Sequence, residues 1–104
     1  MHKGEIWWAD LPKPVGRRPV LILTRDEAVK VRDYITVAEF TTNVRHISTE
    51  VLLGKADGLP KECVVNLDVI NTVRKELLVE FVTKLSEEKL QAVENALKFA
   101  FDLS

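Results

Sequence analysis

The sequence predicts a mainly β fold with helices, in which a small antiparallel, barrel-like sheet is covered by one helix at the C-terminus. Two observations carry this prediction. Six short segments rich in β-branched and aromatic residues are separated by turns that contain Gly, Pro, Asn or Asp. The last segment is followed by a stretch with helical periodicity. Short strands at this spacing, ending in one helix, are typical of a small barrel-like sheet.

Length and composition predict one domain, spanning residues 1–104. A content of 46% hydrophobic and 30% charged residues is that of an ordinary globular protein. No apolar run approaches the length of a membrane span and the N-terminus lacks an apolar signal-peptide core, so we expect a cytoplasmic protein with no membrane contact. One cysteine and two distant histidines predict neither a disulfide nor a zinc site, and no cofactor is expected.

The first half of the chain contains three predicted strands. Residues 5–11 are an aromatic, β-rich segment, and a loop with two prolines follows it. Residues 20–23 are four consecutive apolar residues, which predicts a strand buried on both faces. Residues 34–40 have strong β propensity. The polar stretch 24–32 is too irregular to predict a helix, and we expect an exposed connection there.

Adjacent Trp7 and Trp8 in the first strand point to opposite faces of the sheet. One of them is therefore expected in the core. The other faces a groove or a partner, where it contributes to a subunit interface or stacks on a base.

The second half contains three further strands and the helix. Strands are predicted at residues 48–53, 63–67 and 79–85, with turns at 54–60 and 68–72. Ser86 is the predicted N-cap of the helix, since two glutamates follow it in the first turn. One apolar stripe is expected to pack on the sheet: Leu90, Val93, Leu97 and Phe101.

The chemistry is predicted to centre on the stretch 16–24, where Arg17 and Arg18 precede Pro19 and the buried strand. Pro19 disfavours helical geometry at Arg18, so Arg18 should be extended and form the first residue of the strand. A guanidinium rooted on a rigid strand can bind a phosphate or carboxylate through two N–H groups. The alternative is that both arginines are solvated charges at a strand entrance.

A second polar cluster, Thr41, Thr42 and Asn43, ends the third strand. Asn43 is a candidate for base-edge hydrogen bonds, and Arg45 for phosphate contact or stacking. His46 titrates near neutral pH and is a candidate acid or base. Each has a structural alternative, because hydroxyl and amide groups at strand ends bond to local backbone and a loop histidine can simply be solvated.

Several segments together resemble the MazF/PemK family of toxin endoribonucleases over nearly the whole chain and in the right order. The segments are Gly-Glu-Ile-Trp at 4–7, Ala-Asp-Leu at 9–11, Gly-Arg-Arg-Pro-Val-Leu at 16–21, the strand end at Thr41, Val-Val-Asn-Leu-Asp at 64–68, and the closing strand and helix. The element at 16–21 is the most specific of these. The resemblance implies an SH3-like barrel that dimerises, cleaves single-stranded RNA without a metal ion, and is neutralised by a cognate antitoxin.

The resemblance also implies roles for individual residues. Arg18 matches the catalytic arginine of the family, and Thr41 its catalytic threonine or serine, with Thr42 as the alternative. Asp68 matches an acidic position that some members place in the RNA site, whereas Asn66 stands where those members have an arginine. The first loop, residues 12–15, is shorter than in many members, which predicts a more open groove and a different substrate preference.

The implied chemistry is attack by the 2′-OH of the RNA itself, which leaves a 2′,3′-cyclic phosphate and a 5′-OH. Arg18 would neutralise the phosphorane, and the Thr41 hydroxyl would donate to the same phosphate. The competing hypothesis is a non-catalytic toxin of the gyrase-binding CcdB type, or an SH3-like binding module. CcdB-type toxins end in Trp-Gly-Ile, whereas this chain ends in Phe-Asp-Leu-Ser, which favours the nuclease.

Overall fold

The computed structural model describes residues 1–104 and consists of six strands, two α-helices and two short 3₁₀ turns. The strands are β1 (Glu5–Leu11), β2 (Gly16–Ile22), β3 (Tyr34–Thr41), β4 (Glu50–Leu53), β5 (Cys63–Arg74) and β6 (Leu78–Lys84). The helices are α1 (Asp26–Val31) and α2 (Glu87–Ala100), and the 3₁₀ turns are Lys55–Asp57 and Lys75–Leu77. None of the helices is long and apolar enough to span a membrane.

All six strands belong to one curled antiparallel sheet with the order β4-β5-β3-β2-β1-β6. The curl separates two apolar clusters. The larger cluster contains Ile6, Leu21 and Val65 together with Val93 and Ala96 from α2. The smaller cluster lies on the other side, beside α1. The predicted fold class, a mainly β fold with a barrel-like antiparallel sheet and a C-terminal helix, is confirmed.

The prediction of an exposed connection at residues 24–32 is wrong, because α1 forms there. Ala28 and Val29 are buried, at 3% and 2% exposure, although the segment is otherwise polar. Asp26 and Glu27 lie in the first turn and Lys30 in the last, which suits the helix dipole. A helix of six residues that buries only two side chains is too short for helical periodicity to show in the sequence.

The predicted turn at residues 68–72 is also wrong, because β5 continues through it to Arg74. The polar residues there mark an irregularity in the ladder between β3 and β5. Ala38 pairs with Ile70 and Phe40 with Val65, so two steps along β3 match five along β5. The bulge allows the Asp68 N–H to bond to the Asn66 side chain at 2.9 Å instead of to β3.

The C-terminal helix begins as predicted, since the Ser86 hydroxyl accepts a hydrogen bond from the Lys89 N–H at 3.2 Å. Val93 is fully buried, and Leu97 packs against the larger apolar cluster. The prediction that Phe101 extends the buried stripe is wrong. Phe101 lies just beyond the helix and is 53% exposed, because the chain has left the sheet at that point.

Candidate active site

A cleft of about 360 Å³ opens where the end of β3 meets the beginnings of β2 and β5. This position follows from the topology, because β2 and β5 flank β3 and both run antiparallel to it. The cleft is lined by residues of every strand except β4 and of the turn before β5. They are Trp8, Arg18, Pro19, Phe40, Thr41, Thr42, Leu59, Pro60, Lys61, Cys63 and Val82.

The sheet register brings Arg18 and Thr41 to the same part of this cleft. The ladder between β2 and β3 ends at the Val20–Glu39 pair, and Arg18 and Thr41 lie two residues beyond that end on their respective strands. Thr41 is in turn paired with Val64 on β5, which fixes the other side of the strand end. Both residues line this cleft, and their catalytic roles stay predictions.

The guanidinium of Arg18 is exposed and almost free of intramolecular contacts. Its Nε donates one long hydrogen bond, 3.3 Å, to the carbonyl oxygen of Val15, and it takes part in no ion pair. An arginine side chain has five N–H donors, so the two terminal nitrogens remain available to an anion. Pro19 restricts the backbone beside Arg18, which is extended on β2 as predicted. The prediction that Arg18 is the first residue of the strand is wrong, because β2 already begins at Gly16.

The neighbouring Arg17 is held quite differently. Its guanidinium donates to Glu80 at 2.7 Å, lies 3.6 Å from Asp10, and sits 5.2 Å above the ring of Trp8. It does not line the cleft, and its charge is balanced by two carboxylates. Arg17 therefore orients Trp8, whose ring forms part of the cleft wall, and its predicted RNA contact stays a prediction.

Thr41 is the last residue of β3 and lines the cleft. Its hydroxyl oxygen accepts a hydrogen bond from the Asn43 N–H at 3.1 Å, which is the local backbone contact expected of a threonine at a strand end. Because a hydroxyl carries one donor and two acceptor positions, the proton of Thr41 is still free to donate. Thr42 also lines the cleft, so both alternatives from the sequence lie in the same site.

The loop after Thr42 carries three more candidates away from the cleft lining. Asn43, Arg45 and His46 are exposed, and none of them is among the lining residues. One oxygen of Glu50 accepts the N–H groups of Arg45 and His46 at 2.9 and 3.1 Å, which anchors the loop to β4. His46 adopts a left-handed backbone conformation with φ of 56°. The predicted roles of these residues stay predictions.

Asn66 and Asp68 also lie outside the cleft lining. Asn66 is only 7% exposed, and its side-chain amide oxygen Oδ1 accepts the Asp68 N–H. The Asp68 carboxylate accepts a hydrogen bond from the buried Thr49 hydroxyl at 2.7 Å. Both side chains thus stabilise the β5 bulge and the start of β4. Their predicted contact with RNA stays a prediction.

Lys61 is the cleft residue that the sequence did not single out, because it lies in the turn before β5 and resembles any solvated lysine. With Arg18 it gives the cleft lining two cationic side chains and no carboxylate. Trp8 and Phe40 add aromatic surface, and Cys63, 9% exposed, forms part of the floor. Burial raises the pKa of the Cys63 thiol, so it is neutral at pH 7. Such a lining suits a ligand with phosphate charge and flat rings.

A larger groove of about 560 Å³ lies elsewhere, between β4 and α2. Leu52 and Phe99 are among its lining residues, together with Glu50 and Lys89. None of the residues predicted as catalytic lines it. No group of three or more His, Cys, Asp or Glu side chains is arranged to hold a metal ion anywhere in the chain.

Comparison with known proteins covers almost the whole chain. Residues 2–101 match the family described as "PemK-like, MazF-like toxin of type II toxin-antitoxin system". The chain is 36% identical over 103 residues to a probable endoribonuclease MazF5 of Mycobacterium tuberculosis, which covers 98% of this chain and 94% of that protein. It is 35% identical over 91 residues to a probable endoribonuclease MazF2 of the same species, covering 86% of this chain and 87% of the relative.

Solved structures of toxins and endoribonucleases also superpose on nearly the whole chain. The Mycobacterium tuberculosis toxin MazF-mt6 superposes with a TM-score of 0.88 at 35% identity, covering 96% of this chain and 98% of that one. A mycobacterial endoribonuclease in complex with its cognate antitoxin superposes with a TM-score of 0.89 at 26% identity, covering 100% and 97%. The likeness therefore extends over nearly the whole chain.

Proposed function

The chain belongs to the PemK-like, MazF-like family of toxins of type II toxin–antitoxin systems, and on this premise we propose that it is an endoribonuclease toxin. Its relatives MazF5 and MazF2 are named as probable endoribonucleases. Its substrate is single-stranded RNA, cut at a specific sequence in mRNA, tRNA or rRNA, and the cut inhibits translation. A cognate antitoxin neutralises it, as the complex of the mycobacterial relative suggests.

One observation carries the proposal more than any other: an uncommitted guanidinium and a hydroxyl with a free proton line one cationic cleft. These are groups that stabilise negative charge, and the cleft is wide enough for a nucleotide. An RNA phosphate that gains charge during 2′-OH attack is the ligand for which such an arrangement is most useful.

Arg18 is proposed as the catalytic residue that stabilises the phosphorane. Its planar fork can donate two parallel hydrogen bonds to the equatorial oxygens, and these bonds strengthen as charge develops. Thr41 donates to the same phosphate from the neighbouring strand. No metal ion is required for this step, because the positive charge comes from the side chains of the cleft.

The reaction also needs a proton acceptor for the 2′-OH and a donor for the leaving 5′ oxygen. An arginine with a pKa above about 12 is a poor acceptor at neutral pH. His46 has the right chemistry but lies on the loop outside the cleft lining. Its acid–base role remains a hypothesis, which His46→Gln tests.

The family membership and the surface support further parts of the proposal. We expect a homodimer, because Val79 and Phe81 on the edge strand β6 are each about half exposed, at 48% and 49%. We expect action in the cytoplasm, where the RNA substrate is found. The alternative of a CcdB-like toxin or a plain SH3-like binding module is not favoured, because neither would make use of the Arg18–Thr41 arrangement.

The proposal is tested with the purified protein and total RNA in the presence of EDTA. Fragments with 5′-OH ends should accumulate, and Arg18→Ala should reduce their rate of formation by roughly 10²- to 10³-fold. The melting temperature should be unchanged, since Arg18 is exposed and makes one long hydrogen bond. Absence of fragments from mRNA, tRNA and rRNA with the wild-type protein would favour the binding alternatives.

A further inference from the structure

We propose that Lys61 is a second phosphate-binding residue of the cleft, which holds the RNA phosphate next to the scissile one. The inference rests on the proposed function, since it assigns a subsite within the same RNA-binding cleft. It concerns substrate positioning rather than the chemical step.

The position of Lys61 follows from the strand register. Thr41 pairs with Val64 on β5, and Lys61 lies in the turn before β5, three residues ahead of Val64. Lys61 therefore reaches the cleft from a different element than Arg18 on β2 and Thr41 on β3, and all three residues line it. The cleft thus has two cationic side chains on separate elements, and we assign the scissile phosphate to Arg18 and a neighbouring phosphate to Lys61.

The backbone around Lys61 is fixed by packing. Leu59, two residues before it, is 6% exposed and belongs to the larger apolar cluster. The Leu59 N–H donates to the Gly54 carbonyl oxygen at 3.2 Å, and Pro60 restricts the next step of the chain. Lys61 therefore extends from a backbone segment that is held in place. Its flexible side chain can adjust the position of the ammonium group to that of the ligand.

The ammonium of Lys61 is available for binding. It takes part in no ion pair, in contrast to Lys3 and Arg17. The carboxylates of Asp57 and Glu62 contribute to the raised pKa of the Cys63 thiol, so negative charge also lies near this side of the cleft. Neither carboxylate lines the cleft, however, and Asp57 accepts the Gly54 N–H at 2.9 Å.

A contact to a neighbouring phosphate has a distinct kinetic signature. That phosphate carries the same charge in the ground state and in the transition state, so its contact with Lys61 is equally strong in both. Removal of the contact should raise KM and leave kcat nearly unchanged. Arg18 should show the opposite pattern, since its bonds strengthen only as the phosphorane forms.

The test compares Lys61→Gln with Lys98→Gln, which removes the same charge from the exposed last turn of α2. The probe is an RNA oligonucleotide that the wild-type protein cleaves, together with a form carrying one 2′-deoxy sugar at the scissile position, which binds without being cut. Lys61→Gln should weaken binding about 5- to 10-fold. The slope of log K against log salt should become shallower by about 0.7, the value for one contact to a single strand.

A neutral methylphosphonate at each linkage identifies the phosphate. At the linkage next to the scissile one, it should weaken wild-type binding as much as Lys61→Gln does, and the two changes together should cost no more than either alone. Lys61→Arg should restore most of the affinity, and Lys98→Gln should match the wild type.

Three outcomes would contradict the Lys61 assignment, and only the third would also contradict the proposed function. Binding and a salt slope unchanged in Lys61→Gln would overturn the Lys61 assignment while leaving the nuclease in place. A kcat that falls tenfold at constant KM would place Lys61 on the scissile phosphate and also overturn it. Failure of the wild-type protein to bind or cleave any RNA would overturn the proposed function together with this inference.

Discussion

Removal of the Thr41 hydroxyl is expected to lower the unfolding free energy slightly and the cleavage rate strongly, so the two effects can be distinguished by their size. Thr41→Val keeps the shape of the side chain but removes both the acceptor for the Asn43 N–H and the hydroxyl proton of this cleft residue. The lost hydrogen bond is exposed and 3.1 Å long, so its loss costs about 0.5 to 1 kcal/mol of unfolding free energy. For a chain of this size that lowers the melting temperature by about 5 °C.

The catalytic loss should be much larger. Removal of one donor to a developing phosphorane charge slows the chemical step about 10²- to 10³-fold, which corresponds to about 3 to 4 kcal/mol. The assay is single-turnover cleavage of a labelled RNA at 25 °C, well below the transition, with melting followed by circular dichroism. A folding defect of 1 kcal/mol cannot account for a hundredfold loss of rate in a protein that remains folded.

Two matched variants complete the test. Thr41→Ser retains the hydroxyl and should keep the rate within about tenfold of the wild type, while Thr42→Val should change it little. If Thr42→Val loses the activity and Thr41→Val keeps it, the catalytic hydroxyl belongs to Thr42. A rate within threefold of the wild type for both valine variants would refute the reasoning that a threonine donor acts on the phosphate.

Three further predictions concern the loop, a turn and the pH dependence of stability. His46→Gln should leave the rate within about twofold, because His46 lies outside the cleft lining; a large loss of rate together with an altered pH–rate profile would instead assign it an acid–base role. Gly58→Ala should cost more unfolding free energy in urea than Gly16→Ala. Both glycines have positive φ, but only at Gly58 would a Cβ meet Thr83, at 2.5 Å, so equal losses would contradict the clash. The pKa of Asp26 is lowered, chiefly by the hydrogen bond from the Lys3 N–H at 2.7 Å. Its stabilising effect is therefore present above the unfolded value of 3.8 and lost as pH falls through the lower folded value. The difference in melting temperature between wild type and Asp26→Asn should shrink between about pH 5 and pH 2; a difference constant over that range would contradict it.

The strands could be read from the sequence where propensity and burial agree. β1 and β3 combine β-branched or aromatic residues with clear turn signals at their ends, and both were placed closely. Pro19 made the geometry of Arg18 predictable from its neighbour alone. Local signals failed at α1, which buries only Ala28 and Val29, and at the β5 bulge, where polar residues resemble a turn.

The residues of the site also differ in how far the sequence alone identifies them. Arg18 and Thr41 could be named because their motifs are local and resemble a known family. Lys61 could not be named, because its place in the cleft depends on the pairing of Thr41 with Val64, which is a property of the sheet register. The buried state of Asn66 was equally hidden, since it depends on the bulge and on the approach of β4.

The central claim is that the RNA supplies its own nucleophile while the Arg18–Thr41 pair stabilises the phosphate. The most direct measurement is cleavage, in EDTA, of two oligonucleotides that differ only in the 2′-OH at the scissile nucleotide, with the end groups identified by mass spectrometry. We predict a 2′,3′-cyclic phosphate and a 5′-OH from the ribose form, and no cleavage of the 2′-deoxy form despite unchanged binding. Cleavage of the 2′-deoxy form, or a 5′-phosphate on the product, would contradict the account.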